Sequence, residues 1–130
     1  MKSQAGLETL FGVGLLLILL TFAFTFSLSK SSESKFASTY LEARKICEEI
    51  KTTINQVYAN GFGFATSFNI PNKLASSDYN LTIFAANKTI TLEWSGNLFS
   101  CTLFTPSVTN GTISKGLRTF KNVDGVVSIV

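Results

Sequence analysis

Three kinds of side chain in this sequence could do chemistry. The first is Glu8, a lone carboxylate placed directly before a run from Leu10 to Leu28 that holds no charge. Within that run the polar side chains are Thr21, Thr25 and Ser27. A carboxylate at the edge of an apolar helix costs up to ~3 kcal/mol near a bilayer centre and less near the interface, so it calls for a cationic partner or the headgroup level. The second is the pair Cys47 and Cys101. Two cysteines behind a membrane-directed segment suggest one disulfide formed in an oxidising compartment. The alternative is two unpaired buried thiols. The third is the set of acceptor motifs Asn80-Leu81-Thr82, Asn87-Lys88-Thr89 and Asn110-Gly111-Thr112, each of the form that receives an N-linked glycan.

Catalysis finds no support in the residue types. The sequence has no histidine, which removes the commonest general base and metal ligand. Two cysteines without histidine are too few for a metal site. Glu48 and Glu49 are adjacent, so on a helix they diverge rather than converge on a substrate. No nucleophile elbow or phosphate-binding glycine loop is present. A net charge of +3, with Lys and Arg scattered among Glu, leaves no basic stripe for nucleic acid. The expectation is a non-enzymatic protein with no cofactor, no metal and no nucleic-acid partner.

The elements that position these groups follow from periodicity. Residues 1–3 form a short polar leader. Residues 4–28 form an apolar helix. Its uncharged run spans about 28 Å at 1.5 Å per residue, close to the ~30 Å of a bilayer core. A secretory signal cut near Ser27-Leu28-Ser29 and a plain transmembrane anchor are both readings of this stretch. Phe11, Phe22 and Phe24, with Leu10 and Leu17, supply helix-packing bulk. Gly12 and Gly14 permit close helix approach. Residues 29–35, SKSSESK, mark the exit from apolar surroundings, as a hinge or as continued helix. If they stay helical, residues 5–59 make one rod of about 80 Å.

Beyond the joint, Phe36, Tyr40, Ala43, Cys47, Ile50, Ile54 and Val57 recur at alternating spacings of four and three. That predicts an amphipathic helix ended by Asn60-Gly61. The same spacing suits a coiled coil, but the β-rich sequence after it favours a helix laid on a sheet. Alternating apolar residues at Tyr79–Ile83, Ile90–Trp94 and Phe99–Leu103 predict strands, with Arg118–Asn122 and Val126–Val130 as further ones. Breaks at Ala86-Asn87, Gly96-Asn97, Asn110-Gly111 and Asp124-Gly125 suit an antiparallel meander. The expected fold is α+β: a long hydrophobic helix continuing into an amphipathic helix packed on an antiparallel sheet, with residues 36–130 as an extracellular globular domain. Cys47 then lies on the helix stripe and Cys101 on the inward face of its strand, so a bridge would staple helix to sheet. Chain entropy gives such a bridge ~4 kcal/mol.

The segment Gln4-Ala5-Gly6-Leu7-Glu8 with its long apolar run resembles the class III signal peptide of archaeal type IV pilin-like proteins. It differs at Gly6, where the family usually has a small hydroxyl residue, and at Gly12, where it usually has Leu. The resemblance implies that a prepilin-type signal peptidase cuts between Ser3 and Gln4, leaving the apolar helix as the mature N-terminus with Glu8 as its fifth residue. The new α-amine at Gln4 has a pKa near ~8. In a filament the Glu8 carboxylate would pair with the amine of a neighbouring copy, because either charge alone is costly in an apolar bundle. The resemblance further implies a type IV pilin-like fold and membrane insertion before assembly. It implies an assembly platform with its ATPase, self-association into a helical homopolymer, and a role in adhesion. The alternative is a monomeric, membrane-anchored extracellular binding domain.

Overall fold

A computed structural model describes residues 2–130; of Lys2, Ser3 and Ser32 it describes the backbone alone. Met1 of the expected leader lies outside the described residues, as does the side chain of Ser3 at the expected cleavage point. The chain divides into two compact units, Met1–Ala37 and Ser38–Val130. One helix, α1, runs Lys2–Ala59 and supplies residues to both. Residues 29–35 are therefore helical. Their serines are poor helix formers, but Lys30 and Glu33 sit at i,i+3 with a 3.6 Å ion pair that gives weak local support.

The second unit holds seven strands: β1 Ala65–Ile70, β2 Asn80–Phe84, β3 Thr89–Trp94, β4 Asn97–Thr102, β5 Gly111–Thr112, β6 Gly116–Val123 and β7 Val126–Ile129. The fold is α+β with antiparallel pairing, as expected. It departs from the single meander in one respect. The strands form two sheets, β1-β6-β7 and β4-β3-β2-β5. The division arises because β1, leaving the helix C-terminus, pairs with β6 far along the chain, Ala65 opposite Lys121 and Ile70 opposite Gly116. A meander joins only sequence neighbours, and that pairing is not local.

Turn chemistry fixes two hairpins. Ser95-Gly96 joins β3 to β4 with φ of 45° and 78°, and Asp124-Gly125 joins β6 to β7 with φ of 52° and 84°. Two successive positive φ values define the mirror-image turn that matches strand twist, and Gly tolerates its second position without strain. The first break thus falls one residue earlier than the sequence suggests, and Asn97 begins β4.

One core joins α1 to both sheets. The helix contributes Ala43, Ile46, Cys47, Ile50, Ile54 and Val57; the strands contribute Leu81, Ile83, Ile90, Leu92, Trp94, Phe120 and Val127 among others. Alternation placed Leu81, Ile83, Ile90, Leu92 and Trp94 inward, and all five are buried. The helix stripe is corrected at its start. Phe36 and Tyr40 are exposed, while Ile46 joins the buried face. Facing two sheets widens the buried stripe to the i, i+3, i+4 pattern, which brings in Ile46. Tyr40 instead meets the ring of Phe99 edge to face, with centroids 5.1 Å apart. Cys47 and Cys101 are joined by a disulfide across a Cα–Cα distance of 6.2 Å, so α1 is stapled to β4.

Candidate functional site

The feature with no structural use inside the chain is the apolar part of α1. Leu and Phe are good to moderate helix formers, and no proline interrupts residues 4–28. An 18-residue window here has mean hydropathy 2.3, and none of it is buried. Fourteen large apolar side chains from Leu7 to Leu28 are each more than half exposed, among them Leu10, Phe11, Leu17, Phe22 and Phe24. At ~1.5–3 kcal/mol for a side chain taken from full exposure to burial, and with about two thirds of each still exposed, covering them is worth about 15–25 kcal/mol. That exceeds the ~5–15 kcal/mol net stability of a typical domain, so water is not the medium this helix is made for.

Its polar atoms are prepared for an apolar medium. Thr9 Oγ1 donates to the Ala5 carbonyl at 2.8 Å, Thr21 Oγ1 to Ile18 at 2.9 Å, and Thr25 Oγ1 to Phe22 at 2.9 Å. A hydroxyl bonded to its own helix brings no unsatisfied donor into lipid or into a helix bundle. Gly6, Gly12 and Gly14 have open space where a Cβ would sit, so a neighbouring helix backbone can approach there. The apolar surface runs all round the helix rather than along one stripe, which is the pattern of a fully surrounded helix.

Glu8 is the exception on this surface. It stands one turn after Gln4, and Gln4, Leu7, Glu8 and Phe11 line one shallow depression. Among the described residues Glu8 has no ion-pair partner. The structure thus places Gln4 and Glu8 one turn apart on the same exposed face.

No protein-family model, curated protein or solved structure matches this chain.

In the second unit, Asn80, Asn87 and Asn110 are all exposed. Asn110 is tied down. Its Oδ1 accepts a hydrogen bond from the Ala85 N–H at 3.0 Å, which holds the start of the β2–β3 turn that carries Asn87. Tyr79 is buried, donates its hydroxyl to the Pro71 carbonyl, and lies under the Lys115 ammonium at 4.9 Å from the ring centroid. Burial, with a smaller push from the Glu42 carboxylate, raises its pKa to about 12. Among the described residues no three His, Cys, Asp or Glu side chains converge to hold a metal ion.

Sequence reasoning missed Asn122. It is buried, its Nδ2 donates to the Val57 and Tyr58 carbonyls at 3.4 and 3.5 Å, and its Oδ1 accepts from the Gly125 N–H at 3.0 Å. It closes the open C-terminal carbonyls of α1 and braces the β6–β7 turn at once. One signal was available: Asn122 shares strand parity with Phe120, which puts a polar side chain on the inward face.

Proposed function

We propose that this chain is the structural subunit of a cell-surface filament built on the plan of archaeal type IV pilin-like proteins. The observation that carries the reading is the exposed apolar helix, with its threonine hydroxyls bonded to its own carbonyls and one carboxylate, Glu8, near its start that has no ion-pair partner among the described residues. In this reading the leader is removed before Gln4 by a prepilin-type signal peptidase. The helix waits in the membrane as a precursor, then leaves it through an assembly platform driven by an ATPase. In the filament, copies pack residues 4–28 side by side, and the Glu8 carboxylate of one copy takes the Gln4 α-amine of the next. The pair sets the axial register, since a misplaced copy would leave two charges buried without partners. The unit Ser38–Val130 faces outward and serves adhesion.

The test is the N-terminal residue of the native protein in a surface-sheared fraction, read by mass spectrometry, together with the fate of Glu8→Ala. Expected are a chain beginning at Gln4 in the sheared fraction, and a variant that is exported and trimmed yet forms no filaments. A chain found only in membranes with residues 1–3 intact would reduce the helix to an anchor for an extracellular binding domain. Normal filaments from Glu8→Ala would sink the charge-pairing step.

A further inference from the structure

Three acceptor motifs lie in the second unit, and the fold treats them differently. In Asn87-Lys88-Thr89 the threonine hydroxyl is spent, donating to the Asn87 carbonyl at 2.9 Å. In Asn80-Leu81-Thr82 the threonine is half-buried on β2, a central strand flanked by β3 and β5. In Asn110-Gly111-Thr112 both ends stay open. Thr112 is exposed on the short outer strand β5. The Asn110 amide is oriented by the Ala85 N–H on its oxygen, and among the described residues its Nδ2 donates to nothing. Substituting that nitrogen breaks no bond of the fold.

Beside Asn110 lies a cavity of about 280 Å³ at the boundary of the two sheets, with Thr112 on one wall and Arg118 and Ile129 on the other. Arg118 is held in place, donating Nε to the Ser114 carbonyl at 3.0 Å and Nη2 to the Lys115 carbonyl at 3.4 Å. A guanidinium has five N–H donors, so most remain for a ligand rich in hydroxyls. Ile129 offers an apolar patch for the C–H face of a ring. A fixed fork of donors, the Thr112 hydroxyl and one apolar wall are what a pyranose needs.

We propose that Asn110 carries an N-linked glycan whose first pyranose seats in this cavity and bridges the β5 edge to the β6–β7 sheet. In the modification Asn110 Nδ2 gives up one proton and bonds to the sugar C1. The C1–O bond to a lipid-phosphate sugar donor breaks, and the lipid phosphate leaves with the electron pair. The inference rests on the extracellular placement of the second unit in the reading above, not on polymerisation.

Trypsin separates the candidates, because residues 89–115 hold Asn110 as their only acceptor motif while residues 74–88 hold Asn80 and Asn87. The experiment maps reduced peptides of the full chain from the surface fraction of its native cells. It then compares melting of wild type and Thr112→Ala in detergent. Thr112→Ala destroys the motif and leaves the Asn110–Ala85 bond intact. Expected are a saccharide mass on peptide 89–115 and a melting temperature lower by about 4–8 °C in the variant, as for the loss of one modest interaction in a domain of this size. The two proteins made in a non-glycosylating host should melt together. Surface protein with an unmodified Asn110 overturns the site and leaves the filament reading standing. A modified Asn110 with no melting difference overturns the seating in the cavity. Protein confined inside the cell overturns both.

Discussion

Replacing Asn122 with Ala should be among the most damaging single changes in the second unit. The side chain makes three hydrogen bonds, and all its partners are backbone groups at junctions. Tyr58 keeps a bond from the Gly61 N–H at 3.3 Å, so its carbonyl survives the loss. The Val57 carbonyl and the Gly125 N–H are left without a partner. Each buried orphan costs ~1–3 kcal/mol. The two bonds to α1 are long, which places the Val57 loss at the low end, and the Gly125 N–H is only half-buried, so water offsets part of its loss and it too falls at the low end. The expected destabilisation is about 2 kcal/mol, roughly 8–16 °C in melting temperature for a domain of this size. The assay is urea or thermal unfolding of the full chain in detergent, followed by the fluorescence of the single buried Trp94. Asn60→Ala is the comparison. It removes one exposed capping bond to Gln56 and should cost only ~0.5–1 kcal/mol. A loss under about 1 kcal/mol for Asn122→Ala, or equal losses in both variants, would refute the reasoning that burial multiplies the cost of these orphans.

Removing the disulfide with the Cys47→Ala, Cys101→Ala pair should lower stability by ~4 kcal/mol in oxidising buffer, and an unchanged melting temperature would refute the staple. Tyr79 makes stability depend on alkaline pH. Its folded pKa, raised to about 12, exceeds the unfolded value of 10.0, so its contribution is complete below pH 10 and is lost as pH rises towards 12. The loss is about 3 kcal/mol, and Tyr79→Phe should flatten the fall of stability with pH across that window; an equally steep fall in the variant would assign it to other groups. The Glu8→Ala variant should melt like wild type in its second unit while failing to assemble, since Glu8 belongs to the other unit and is not among the residues of that core.

Much of this architecture is readable from local pattern. Period two put Leu81, Ile83, Ile90, Leu92 and Trp94 inward, and period 3.6 found the helix face from Ala43 to Val57, because burial on one side leaves its mark residue by residue. The disulfide was legible for the same reason: both cysteines sat on faces already assigned inward. Non-local choices left no such mark. The partition into two sheets hangs on Ala65 meeting Lys121, and nothing in residues 61–71 names that partner. Phe36 and Tyr40 carry the helix spacing without the burial, since periodicity states which way a residue points and not whether anything is there to meet it. The Asn110 bond to Ala85 is invisible until β2 and β5 are placed side by side. At the apolar helix the lone carboxylate and the glycines are plain in the sequence; the internal bonding of its threonines needs coordinates.

The staple between Cys47 and Cys101 also sets how the second unit answers tension. A force applied between Ser38 and Val130 travels along the helix to Cys47, across two sulfur atoms, and out through β4. The 53 residues between the cysteines lie outside that path. At ~3.4 Å per extended residue they amount to about 180 Å of hidden contour length that cannot be drawn out while the bond holds. Residues 48–59 of α1, and the whole of β1, β2 and β3, are thereby shielded from stretching. Only a reducing environment would release that slack, so oxidation decides whether the unit behaves as a short tether or a long one.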